Sequence, residues 1–313
     1  MIPFAARRLL QGLVVLWIVT TSTFALIRLA PGGPSILADP KLAPVERMAL
    51  EHRLGLDRPL MVQYAAWHLD LLRGDLGRSF LYQTPAGRTV LERVPNTLLL
   101  AGLALLLSLA VAVPLGVHSG LHTGGLADRV LGMLTFAALS VPPFWFGIVL
   151  IIVFAALLHV LPAGGASTPG LEGSVGDRLR HLVLPVIVLA LPVGAEVLRY
   201  VRSSVASAAA LPHIAAARAR GASERTIVRA HILRNALLPL VTVIGLQAPI
   251  LAGGAAITET IFSWPGMGRL GVEAALGRDY PLVMAITLVV AAAVIAVNTV
   301  LDVLYRRIDP RVQ

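Results

Sequence analysis

Residues 97–117, from Thr97 to Val117, read TLLLAGLALLLSLAVAVPLGV, without one charged side chain. A run of about 20 apolar residues is long enough, as a helix, to cross the hydrocarbon of a bilayer. Comparable stretches occupy 9–29, 130–161, 182–201, 237–262 and 282–305. Together they predict an all-α membrane protein with six transmembrane helices. The stretch 130–161 is too long for one straight span, and Pro142-Pro143 interrupts it. That predicts a kink there, or a first half outside the membrane. Arg7-Arg8 precede the first stretch, as in a signal peptide, but it ends at Pro31-Gly32-Gly33-Pro34 without a small-x-small cleavage site. A retained helix is the expectation.

Composition agrees. Of 313 residues, 57% are hydrophobic and 14% charged, where soluble proteins carry about 25% charged residues. The mean hydropathy is +0.80. There is no cysteine, which excludes disulfide scaffolds, cysteine-ligated metals and thiol nucleophiles. Lys41 is the only lysine, and it stands between Pro40 and Leu42. A P-loop needs Gly-Lys-Ser/Thr to reach nucleotide phosphates. If ATP drives this protein, another subunit holds the nucleotide. No basic run is interleaved with aromatic residues, so nucleic acid is not an expected partner.

Arginine placement orients the chain. With an inner N-terminus, the inner segments hold Arg7, Arg8, Arg129, a set from Arg199 to Arg234, and Arg306, Arg307 and Arg311. The short outer loops hold Arg178, Arg180, Arg269 and Arg278. Both termini are therefore expected in the cytoplasm. The organisation predicted is an N-terminal stub with the first helix (1–30), an external helical insertion (31–95), and a membrane core with five helices (96–313). Leu50, Leu54, Leu56, Leu60, Tyr64, Trp67 and Leu71 give the insertion its helical periodicity.

The largest cytoplasmic connection is 203–236, between the fourth and fifth helices. Strong helix formers run from Ile214 to Arg220. Gly221 follows, suited to a left-handed helix end. Ser223 can cap a second helix with Glu224 at its positive end. An alanine-faced helix, a glycine break and a second basic helix make a compact knob. By composition alone it equally suits a partner protein or anionic lipid headgroups.

The run Ala215-Ala216-Ala217-Arg218-Ala219-Arg220-Gly221-Ala222 resembles the EAA loop of ABC importer permeases. Ser223-Glu224-Arg225 and His231-Ile232-Leu233-Arg234-Asn235-Ala236-Leu237-Leu238-Pro239 are similar to the dipeptide/oligopeptide/nickel branch. So are Arg7-Arg8-Leu9-Leu10, Leu54-Gly55-Leu56-Asp57-Arg58-Pro59-Leu60, Gly74-Asp75-Leu76-Gly77-Arg78-Ser79, the run from Glu259 to Arg269, Arg278-Asp279-Tyr280-Pro281 and Asp309-Pro310-Arg311. The resemblance implies a permease subunit, not an enzyme, in a bacterial or archaeal inner membrane. It implies a second homologous permease, two ABC ATPases that bind ATP and Mg, an extracytoplasmic solute-binding protein, and surrounding lipid. No cofactor or metal is implied on this chain. The cargo implied is a di- or oligopeptide, with nickel or a metal chelate as the alternative. Residues Ala215 to Ala222 would couple to an ATPase, with Arg218 and Arg220 meeting acidic groups there. Trp264, Pro265, Gly266 and Arg269 would face the binding protein. The pattern departs at three places: Ala215 replaces the motif's glutamate, Pro212-His213 stand where Asp-Tyr is common, and Gly33 replaces an aspartate.

Other polar residues have plainer readings. Glu196 precedes Arg199 on one helical face, which predicts a local ion pair. Glu259 and Asp302 sit near helix ends and read as interfacial or packing residues. His213 and His231 read as surface or ATPase contacts rather than metal ligands, and His118 and His122 as loop residues. Trp67, Trp264 and Tyr280 suit interfacial anchors or binding-protein contacts. A proton-driven carrier would need charge at mid-depth, and an intramembrane protease would need a histidine beside Ser223; neither pattern is present.

Overall fold

The computed structural model describes residues 4–30, 33–37, 42–233, 236 and 240–308. Lys41, Pro31-Gly32, Arg234-Asn235, the Leu237 start expected for the fifth stretch, and Asp309-Pro310-Arg311 lie outside them. The described chain is α-helical, with one isolated bridge, between Arg78 and Pro85. It divides into two compact units, Met1–Asn96 with Gly266–Ala296, and Thr97–Pro265 with Val297–Gln313.

The first unit contains α1 (Phe4–Leu29), α2 (Pro44–Arg53), α3 (Leu60–Leu72), the start of α4 (Ala86–Leu121), α11 (Met267–Leu276) and most of α12 (Tyr280–Ile308). Its apolar centre joins Val90 of α4, Leu270 of α11 and Leu282 of α12. Asp279 is fully buried and organises the unit. Its carboxylate accepts from the Ser79 hydroxyl at 2.5 Å and from the Leu81 N–H at 3.0 Å. It also caps α12, accepting from the Leu282 N–H at 3.2 Å. Two family-like motifs about 200 residues apart therefore meet through one aspartate.

The second unit holds the rest of α4, α5 (Leu126–Ser140), α6 (Pro143–Leu150) continuing as a π-helix (Ile151–Leu157), and α7 (Val175–Ala209). Next come α8 (Pro212–Ala219), the turn α9 (Glu224–Thr226) continuing as a π-helix (Ile227–Ile232), and α10 (Leu240–Ile261). Their core runs from Leu100 and Ala104 of α4, along Val193 to Val205 of α7, to Ile214 of α8 and Ile227.

The expectation of six transmembrane helices is corrected. Among the described residues four helices are long and apolar enough to cross a membrane: Arg7–Leu29, Ala86–Leu121, Val175–Ala209 and Tyr280–Val303. A fifth is reached if α5 and the α6 segment make one span, and these are bent by 97°. The cause is local. Val141 and Pro142 both take extended backbone, because a proline disfavours helix in the residue before it. The expected stretch 237–262 runs partly outside the described residues and does not enter that count. Helix ends also pass beyond the apolar runs. α4 begins at Ala86, and α7 begins at Val175, where the Ser174 hydroxyl accepts from the Asp177 N–H. Pro185 and Pro192 lie inside α7, as membrane helices tolerate.

Candidate functional site

α7 ends at Ala209, and the chain turns through Leu211 in extended conformation. Pro212 opens α8 at its first turn, where a missing N–H costs nothing. The helix is two turns long and has two unlike faces. Ile214 and Ala217 are buried in the core that also holds Ile227 and Ile232. Ala215, Ala216, Ala219 and Arg220 are exposed. The outward face is therefore small side chains with the two cations Arg218 and Arg220, a surface whose alanines let another backbone come close.

The helix stops in a complete Schellman motif. Gly221 has φ of +80°, which only glycine adopts freely. The Gly221 N–H donates to the Arg218 carbonyl at 2.9 Å, and the Ala222 N–H to Ala217 at 3.2 Å. The Ser223 hydroxyl then accepts from the Thr226 N–H at 3.3 Å, starting the next turn. Glu224 reaches back over the break and receives two hydrogen bonds from Arg218, at 2.7 and 3.2 Å. Those bonds hold the Glu224 carboxyl below its ordinary range and raise the Arg218 guanidinium. Arg218, expected to meet a partner's acidic group, is thus engaged within the knob. Arg220 makes no ion pair among the described residues. His213 and His231 approach edge to face, with ring centroids 6.4 Å apart. Among the described residues no three His, Asp or Glu side chains gather as a metal ion would require.

The knob is continuous with a brace on α7. Buried Asp128, in the first turn of α5, accepts from the Ser119 hydroxyl, from the Gly124 N–H at 2.9 Å, and from Arg202 of α7 at 2.7 Å. Beside it, Gly116 and Gly120 of α4 let α7 in. A Cβ on Gly120 would stand 2.7 Å from the Arg202 carbonyl oxygen. His122 lies in the turn expected from the sequence, but His118 does not, because α4 continues through Leu121. It also missed the Asp128–Arg202 pair, since partners 74 residues apart leave no local pattern. The spacing of Gly116 and Gly120 was the signal for the close crossing.

The remaining polar residues have definite partners. Glu196 accepts from the Gln247 amide at 2.9 Å, and Arg199 makes no ion pair with it among the described residues. The expected local pair is corrected: Arg199 is exposed, whereas Gln247 is buried beside Glu196. Glu259 is fully buried and accepts from the Thr97 hydroxyl at 2.7 Å. Of the four outer-loop residues, Trp264 has no exposed surface, and Arg178 lies 5.9 Å from its ring centroid. Pro265 is half-buried and Gly266 buried. Arg269 pairs with Glu273 at 2.8 Å.

Comparison with known proteins adds the following. The family described as "Binding-protein-dependent transport system inner membrane component" matches residues 112–313, and its N-terminal companion matches 1–101. The oligopeptide transport system permease protein AppB of Bacillus subtilis is 38% identical, over 100% of this chain and 100% of that protein. The dipeptide transport system permease protein DppB of Escherichia coli K12 is 35% identical, over 100% and 99%. Among solved structures, an inward-facing form of the MetNI methionine ABC transporter aligns with a TM-score of 0.56 and 19% identity, over 70% of this chain and 96% of that one. That last likeness is one of fold.

Proposed function

The chain belongs to the family of binding-protein-dependent transport system inner membrane components, and from that premise we propose that it is the permease subunit of a peptide-importing ABC transporter. The cargo class, di- or oligopeptides, follows from full-length relatives named for those cargoes. In this reading the chain pairs with a second permease, and two ABC ATPases bind ATP and Mg beneath them. A solute-binding protein delivers peptide from the other side. Both termini are cytoplasmic, in a bacterial or archaeal inner membrane. The insertion 31–95 and the loop of Trp264, Pro265, Gly266 and Arg269 face the binding protein, with buried Trp264 fixing that loop's shape.

Coupling is assigned to Ala215, Ala216, Ala217, Arg218, Ala219, Arg220, Gly221 and Ala222. The observation that carries it is the division of α8. Ile214 and Ala217 root the helix in the core that runs along α7, while Ala215, Ala216 and Ala219 point outward. A push on that face is passed to Ile227 and to α7 through packed side chains. Arg220 supplies the outward charge, and Arg218 holds the Gly221 turn to Glu224. The test is purification of the tagged chain in mild detergent, then reconstitution with its binding protein. The expected result is a second permease, two ATPases, vanadate-sensitive hydrolysis and uptake of a labelled dipeptide. Recovery of this chain alone, without ATPase, would refute the proposal.

A further inference from the structure

Within the first unit a cleft of about 580 Å³ opens among α1, α2, α3, the 75–80 segment and the start of α12. Its floor and rim differ in chemistry. The floor is apolar, built from Phe24 and Ile27 near the end of α1 and Met284 near the start of α12. These stand near the ends of the candidate spans Arg7–Leu29 and Tyr280–Val303, the part of a membrane helix that meets the lipid headgroups. The rim is cationic, with Arg53, Arg58 and Arg78 all exposed. Asp70 and Asp75 are the carboxylates on the lining, and both are engaged. Asp75 accepts from the Gly77 N–H at 2.8 Å, and Asp70 lies 3.8 Å from Arg73, outside the cleft lining.

Arg28 stands between floor and rim. Its guanidinium is half-buried, 5.4 Å from the Phe24 ring and 5.3 Å from the Tyr280 ring. Among the described residues none of Arg28, Arg53, Arg58 and Arg78 makes an ion pair with a carboxylate. A partly desolvated guanidinium without a counter-ion is unfavourable. A phosphate diester meets it well, since guanidinium forks match phosphate oxygens. The apolar floor beneath favours a phospholipid, which brings its glycerol and first methylenes with the phosphate, whereas inorganic phosphate leaves that space empty.

We propose that this cleft binds the headgroup of an anionic phospholipid from the leaflet at the Arg28 end of α1. The rim arginines hold the phosphate, and Phe24, Ile27 and Met284 receive the glycerol end of the acyl chains.

The test uses the assembled transporter in neutral detergent, titrated with phosphatidylglycerol or phosphatidylcholine and read by native mass spectrometry. The wild type is expected to retain phosphatidylglycerol in preference to phosphatidylcholine. Joint substitution Arg53→Gln, Arg58→Gln and Arg78→Gln should weaken that retention roughly tenfold or more, with assembly intact. Should the triple variant fail to assemble, Arg53→Gln alone, at an exposed position, should weaken it severalfold. A photoreactive phosphatidylglycerol should label peptides containing Arg53 or Arg78. Equal retention of the two lipids, label placed elsewhere, or unchanged retention in the variants would overturn the assignment. So would displacement of the lipid by inorganic phosphate or an acidic peptide at equal concentration, which would identify a free anion or a protein as the occupant.

Discussion

The carboxylate of Glu224 crosses the Gly221 break to Arg218, so the knob closes on itself before any partner arrives. Much of this was legible in sequence. Pro212 at a helix start, Gly221 at a left-handed end and Ser223 as a cap are each local chemistry, and each occupies that role in the structure. The partner of Arg218 was not legible, because a pair six residues apart across a turn follows no helical spacing. A pH effect follows. The folded Glu224 carboxyl lies below its ordinary value of 4.5, so its contribution is present above that value. It is lost as pH falls through the lowered folded value. Hydrogen exchange of the amides of 221–227, referenced to the amides of α7, should show protection that persists at neutral pH and declines below that range. Glu224→Gln should remove the pH dependence. A wild-type pH profile identical to that of Glu224→Gln would contradict the role given to this pair.

At the scale of elements, the close crossing of α4 and α7 is set by absent side chains. A Cβ on Gly116 would meet the Leu198 carbonyl oxygen at 2.9 Å, and one on Gly120 would meet the Arg202 carbonyl oxygen at 2.7 Å. Apolar burial gives little drive between helices in lipid, so close backbone packing matters more there. Gly120→Val should therefore destabilise the chain by about 1–3 kcal/mol. Gly102→Val, on the same helix with nothing within 4 Å of its Cβ position, is the control. Detergent unfolding midpoints compare the two, and equal loss in both would refute the crossing. The sequence located the apolar runs and the break at Pro142-Pro143, because hydropathy and proline geometry are local. It miscounted the spans. Length alone does not reveal that 130–161 bends by 97° between α5 and α6. Nor do apolar runs mark helix ends, which capping by Ser174 and continuation back to Ala86 extend.

For the whole molecule, one lysine in 313 residues already separated energy from path, since no phosphate-binding loop can be built. Long-range polar links stayed hidden in sequence. Asp279 with Ser79, Arg202 with Asp128 and Glu259 with Thr97 join segments too far apart for any periodicity. In the proposed coupling, α8 presents its alanine face to an ATPase. The chain has no cysteine, so single cysteines can be placed without background. Ala216→Cys and Ala219→Cys lie on the exposed face, and Ala217→Cys replaces a side chain 3% exposed. Each variant is labelled with a benzophenone maleimide in the ATP-hydrolysing complex and illuminated. The prediction is a cross-link from the first two positions to the ATPase subunit and none from Ala217→Cys. Absence of an ATPase adduct from both exposed positions, in a complex that still hydrolyses ATP, would contradict the coupling assignment.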